Sequence, residues 1–242
     1  MTITHPTATA AGEAAPTAEI PADLRSQGVS HPVPWTTTET ARELAGRVLA
    51  DHAAARREII RNPHLDIGWF RDAAASLLDA VQAVIGPAVA IENTFLVIKW
   101  PGTAFEVPWH QDGIDRRIEL DPGRSVAAWL ALTDATPANG CLHIAPGSHR
   151  LGYLPYELED DHGAARGRAG RSAGFTGEHE AVAIPVAAGD AVLMDVRLLH
   201  RSGSNTTDQA RVGLNVRYVA PGGLRMRDHT TPSLTPLTGT GW

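Results

Sequence analysis

Cysteine is almost absent from this chain. Cys141 stands alone among 242 residues, so no internal disulfide can form and no thiolate cluster can hold a metal. A reducing cytoplasm suits such a protein. A surplus of positive charge is also missing. Lys and Arg number 21 against 27 Asp and Glu, a net charge of -6, which gives no electrostatic basis for binding nucleic acid or an anionic membrane. No apolar run approaches membrane-spanning length. The opening MTITHPTATAAGEAAPTAEI has neither the basic start nor the continuous apolar stretch of a secretory signal. What is there, 43% hydrophobic and 20% charged residues, is the composition of a soluble globular protein.

Residues 1–20, rich in Ala, Thr and Pro without periodicity, read as a disordered tail, and residues 21–242 as a single domain. Two helices come first. Thr36 with Glu39, or Thr40 with Glu43, can form a capping box, and Leu44, Val48, Leu49 and Ile59 supply an apolar stripe. Asp66 is a good N-cap for a second helix, in which Ile67, Phe70, Ala74, Leu77, Leu78, Val81 and Ile85 recur at helical spacing until Gly86-Pro87. Beyond that point short apolar or alternating runs alternate with turn chemistry such as Asp121-Pro122-Gly123 and Asn139-Gly140. Helices followed by at least six short strands predict a mainly β fold, most simply a jelly roll buttressed by the N-terminal helices. A Gly-rich, charged insert over residues 156–180 reads as a surface loop or as a mobile lid. Its Arg166, Arg168 and Arg171 read as a solvated cluster, with contact to an anionic substrate as the alternative.

The segment Trp109-His110-Gln111-Asp112-Gly113 carries the chemistry. Alternation along a strand points His110 and Asp112 the same way, an imidazole and a carboxylate toward one metal. His200, closing the apolar run AVLMDVRLLH, is the best third ligand among the eleven histidines. Two histidines and one carboxylate leave open positions of the kind non-haem Fe(II) oxygenases use. Ser202 lies two residues beyond His200. Arg211 opens the next strand and offers a planar fork for the far carboxylate of a dicarboxylic co-substrate. Asn215 and Arg217 share strand parity with Arg211 and can face the same interior or equally pair with the Asp-rich turns outside. His143 and His149 read as wall residues rather than ligands.

From about Asn93 to Val219 the chain resembles the phytanoyl-CoA dioxygenase family of Fe(II)/2-oxoglutarate oxygenases, including its ectoine hydroxylase-like members. The resemblance rests on WHQD, AAWLALTDATPANGCLHIAPGSHR, GDAVLMDVRLLHRSGSN and QARVGLNVRY in that order. It implies a double-stranded β-helix with iron on His110, Asp112 and His200, and with 2-oxoglutarate held at its far end by Arg211 and Ser202. Asn93 and Trp129 stand where the family often places co-substrate contacts. The implied activity is dioxygenase chemistry, most simply hydroxylation of a small molecule, with O2 consumed and succinate and CO2 released. Trp109 and Arg217 are the candidates for contact with substrate. A non-catalytic, cupin-like binding protein is the alternative. A cupin site would more typically show His-x-His with a following Glu than the His-Gln-Asp found here.

Overall fold

The computed structural model describes residues 17–157, 171–172, 175 and 181–242. Antiparallel pairing gathers their strands chiefly into two sheets. The larger has seven strands; its path runs Val33–Pro34, Asp190–Met194, Ser125–Ala131, Arg211–Val219, Val89–Lys99 and Thr235–Thr238, and Ile59–Arg61 also pairs with Val89–Lys99. The smaller has four, in the order Val182–Ile184, Leu142–Ile144, His200–Ser202 and Val107–His110. The chain passes repeatedly from one sheet to the other, which is the expected jelly roll.

The two central strands are buried along their whole length. Every residue of Ser125–Ala131 and Arg211–Val219 is buried, because both faces are covered. Val126, Ala128, Leu130, Val212, Leu214 and Val216 pack in one core with helix residues such as Ala41, Val48 and Phe70. Ala127, Trp129 and Ala131 face the other way and meet Leu142 and Ile144 of the smaller sheet. Each fully buried Leu or Ile contributes about 1.5–3 kcal/mol, so the helical layer is integral to the sheet it covers.

The helices depart from expectation in detail. The first expected helix is Thr38–His52, but its N-cap is Thr37, whose hydroxyl accepts from the Thr40 amide at 3.1 Å. Neither Thr36 nor Thr40 holds that place. Ile59 belongs to a strand, not to the helix. The second expected helix is two, Gly68–Ala75 and Leu78–Ile85, and Asp66 closes a preceding 3-10 turn instead of capping it. At the break the Ala74 carbonyl accepts the Leu77 amide at 3.4 Å and the Tyr218 hydroxyl at 2.9 Å, a tightened turn in place of a continuing α-helical ladder. A further helix, Ile20–Gln27, begins where the tail was expected to end, and Thr17–Glu19 leads into it as a 3-10 turn. The rest of that tail lies outside the described residues, as do most of the insert and its Arg166 and Arg168. Among the described residues no helix is long and apolar enough to cross a membrane.

One correction bears on the site. AVLMDVRLLH is not a single strand. Asp190–Met194 stays in the larger sheet, whereas His200–Ser202 belongs to the smaller one. Between them Asp195 makes a turn, its carboxylate accepting the Arg197 amide at 2.8 Å and its carbonyl the Leu198 amide at 2.9 Å. That turn carries His200 across the barrel to its partner.

Candidate metal centre

His110 and His200 are direct cross-strand partners in the smaller sheet, and their ring centroids lie 4.0 Å apart. Each ring is oriented by its own backbone. His110 Nδ1 lies 2.9 Å from the Pro108 carbonyl and His200 Nδ1 lies 3.0 Å from the Leu198 carbonyl. A carbonyl only accepts, so both Nδ1 atoms carry the proton and both Nε2 lone pairs turn inward. They converge on Asp112: His110 Nε2 is 3.7 Å from one carboxylate oxygen and His200 Nε2 is 3.8 Å from the other. Donor atoms of the three side chains all lie within 4.8 Å of one another, and all three residues are buried. Among the described residues no other group of three His, Cys, Asp or Glu is so arranged.

Asp112 is 3% exposed and is held from the larger sheet. Asn215 donates to it at 2.8 Å, and Arg217 approaches at 3.5 Å. Burial works to remove the charge of Arg217, but Asp112, then Glu92 and Asp115, outweigh it and raise its pKa. Of the two placements open to Asn215 and Arg217, the structure has the interior one. Two inward imidazole nitrogens and a buried carboxylate fit a divalent ion of borderline softness such as Fe(II).

Arg211 lines the same cavity as the triad, together with Ser202 and Trp129. It is 1% exposed. One guanidinium nitrogen donates to the Gly140 carbonyl at 2.7 Å, while Nε and Nη1 are buried without a hydrogen-bond partner. Burial pushes its pKa down to about 10, with only Cys141 pulling the other way. A guanidinium lacking a carboxylate partner is costly to bury, so this cavity is built for an anion. Trp129 supports the cation, its ring centre 5.2 Å from the guanidinium carbon. Gly213 makes room for the indole: a Cβ there would fall 2.2 Å from Trp129 Cζ2. Gly140, at φ 81°, is equally constrained, since a Cβ would sit 2.3 Å from the Gly203 carbonyl.

Two of the expected contact residues, Trp109 and Asn93, do not line the triad's cavity. Trp109 is on the opposite face of its strand from His110, as alternation requires, and packs with Ala145, Leu199 and Phe175. Asn93 lines an adjoining cavity, not that of the triad. His143 and His149 contact the carbonyls of Cys141 and Arg25 and stand outside the triad. Gln111 is the residue whose importance the sequence concealed. It donates to the Gly152 and Arg197 carbonyls at 2.8 and 2.7 Å and accepts the Leu154 amide at 2.8 Å. The loop bearing Asp112 is thereby clamped to the turn that delivers His200.

A jelly roll with two histidines, one carboxylate and a buried, uncompensated arginine in a single cavity defines a class: facial-triad metal proteins with an anion seat. The chain belongs to the phytanoyl-CoA dioxygenase family, whose model matches residues 29–213. It is 34% identical over 131 residues to the phytanoyl-CoA dioxygenase domain-containing protein 1 of Danio rerio, covering 53% of this chain and 43% of that protein. The chain spans just under half the length of the curated relatives it matches. Among solved structures, the non-haem monooxygenase ThoJ in its apo form superposes with a TM-score of 0.76 at 26% identity, covering 91% of this chain and 84% of that one. The epimerase SnoN, in complex with Fe3+, α-ketoglutarate and nogalamycin RO, shares the fold with a TM-score of 0.69 at 18% identity, covering 93% and 96%.

Proposed function

We propose that this protein is an Fe(II)- and 2-oxoglutarate-dependent oxygenase that hydroxylates an unactivated C–H bond of a small-molecule metabolite. The observation that carries this reading is Arg211, a buried guanidinium with two unpartnered donor atoms in the same cavity as the triad. A dicarboxylate spanning from the triad to Arg211 satisfies both ends at once. A cupin-like binder would leave Arg211 with nothing to hold.

His110, Asp112 and His200 would hold the iron, and Arg211 with Ser202 the far carboxylate of 2-oxoglutarate. When bound, iron and 2-oxoglutarate together supply the activation of O2 that oxidises the substrate and releases succinate and CO2. The chain's own part is positioning. Pro108 and Leu198 fix the tautomers of the two histidines, Asn215 and Arg217 orient Asp112, and Trp129 keeps the guanidinium in place. The walls contributed by Val97, Val107 and Leu142 limit water around the reacting centre. Likeness to a non-haem monooxygenase supports the same reading.

The test is succinate formation against a metabolite panel with Fe(II), 2-oxoglutarate and O2, with products identified by mass. We expect one class of metabolite to raise succinate release above the uncoupled background and to gain one oxygen atom. His110→Ala and His200→Ala should each abolish that turnover. Full activity in either variant at limiting iron removes that residue from the site, and product without an added oxygen atom overturns hydroxylation.

A further inference from the structure

Next to the triad's cavity lies a second one, and the two share Arg61, Phe95, Asp115 and Arg217 as a common wall. The iron-site reading uses none of the polar groups that only this second cavity holds. Two of them are buried acceptor atoms without a hydrogen-bond partner, Glu92 Oε2 and Asn93 Oδ1. Glu92 Oε2 is ion-paired with Arg217 Nη1 at 3.6 Å, longer than a direct hydrogen bond.

Their placement follows from a break in strand pairing. Arg217 pairs with Asn93 and Tyr218 with Ile91, so Glu92 is the extra residue of a bulge in Val89–Lys99. Regular alternation would turn Glu92 and Asn93 to opposite faces. The bulge instead brings both to the wall of one cavity. Phe95, two residues on, adds an aromatic face beneath the Arg217 and Arg61 guanidinium groups, each about 5.1 Å from its centre.

We infer that this second cavity is the substrate subsite, and that Glu92 and Asn93 accept hydrogen bonds from neutral hydroxyl groups on the part of the substrate remote from the oxidised carbon. An unpartnered Asn93 Oδ1 beside a Glu92 carboxyl that only Arg217 approaches, at 3.6 Å, calls for a hydrogen-bond donor. The walls mix guanidinium groups (Arg61, Arg117, Arg217) with carboxyl groups (Glu92, Asp115), Arg117 and Arg217 being already ion-paired, so an ion of either sign meets like charge there. A polyol or glycosyl group meets neither penalty. Asn93 is thus assigned to substrate, not to 2-oxoglutarate. This inference rests on the oxygenase reading, because only that reading makes the neighbouring cavity a reaction chamber.

The probes are phenyl β-D-glucoside, phenyl tetrahydropyranyl ether as its hydroxyl-free counterpart, 2-phenylethylamine and phenylacetate. The phenyl ring suits the apolar walls on the iron side. Binding to the full chain under anaerobic Fe(II) and 2-oxoglutarate is followed by saturation-transfer NMR, and the visible charge-transfer band is recorded on the same samples. The glucoside should bind the parent and bind it best of the four. Asn93→Ala and Glu92→Ala should each weaken it about tenfold, with the 2-oxoglutarate band unchanged in Asn93→Ala. Glu92→Ala also removes a counter-charge of Arg217, so Asn93→Ala decides if that variant fails to fold. No glucoside binding, equal binding by Asn93→Ala, or preference for the ether, amine or acid overturns the inference. Loss of the band in the parent with glucoside binding intact would instead remove the oxygenase reading.

Discussion

Arg211 is the residue on which most of the chemistry turns. It projects from the first position of Arg211–Val219 into a cavity where no carboxylate among the described residues balances it. Stranding one member of a desolvated charge pair costs about 3–5 kcal/mol. Arg211→Ala should accordingly raise the KM for 2-oxoglutarate by two to four orders of magnitude, roughly the equivalent of that loss. Arg211→Lys should fall between, keeping the charge and losing the fork. Iron affinity should hardly change in either variant, because the residue faces the far end of the acid. Steady-state kinetics with a parallel iron titration separate the two effects. The same scale shows what was legible in the sequence. Period-two alternation put Arg211, Asn215 and Arg217 on one face of their strand. His110, by contrast, ends its strand and Asp112 lies in the loop that follows, brought round to the imidazole by a turn and not by strand alternation. Alternation also sends Trp109 to the face away from His110, beneath Arg201. Glu92 was not legible, because a bulge leaves no mark in the local pattern.

At the scale of elements, turns and clamps decide which side chains meet. His200 reads as the end of one strand because Val196, Leu198 and Leu199 continue the apolar run, yet Asp195 turns the chain between two sheets. Only pairing, which no local pattern encodes, reveals the switch. Gln111 then ties the two ligand-bearing segments together. Gln111→Ala should lower Fe(II) affinity about 10–100-fold, the usual scale for a residue that orients metal ligands, and should lower the thermal midpoint as well. Metal titration and calorimetry check both; unaltered affinity would make Gln111 a purely structural tie. At the opposite rim, Asp134 links the helix Thr38–His52 to the sheet edge, accepting from the Ala188 amide at 2.9 Å and Arg42 at 3.0 Å. The Ala188 amide first, then Arg42, holds its carboxyl below the usual range against the opposing effect of burial. A depressed folded-state pKa contributes stability above the unfolded value and loses it as pH falls through the folded one. Asp134→Asn should therefore be less stable than the parent at pH 7 by about 1 kcal/mol or less, with the gap closing below about pH 4. Urea unfolding at both pH values measures it.

The whole molecule is a division of labour between two sheets. The smaller supplies both histidines as cross-strand partners, and the larger supplies Arg211, Asn215, Arg217 and Trp129 from paired strands. Neither sheet alone has a complete site. Helices cover the outer face of the larger sheet, which leaves its inner face free to carry charge. The mainly β architecture and helical buttress were legible from the order of apolar patterns and turn residues. Strand order was not, because it depends on contacts between distant segments.

The central claim is that the triad and Arg211 act as one receptor for Fe(II) with 2-oxoglutarate. An anaerobic titration of the Fe(II)-loaded protein with 2-oxoglutarate, followed in the visible, tests it most directly. A weak charge-transfer band should grow and saturate in the parent, vanish in His110→Ala and His200→Ala, and require far more 2-oxoglutarate in Arg211→Ala. No band in the parent at saturating iron and 2-oxoglutarate, or a band indifferent to Arg211→Ala, would contradict the account.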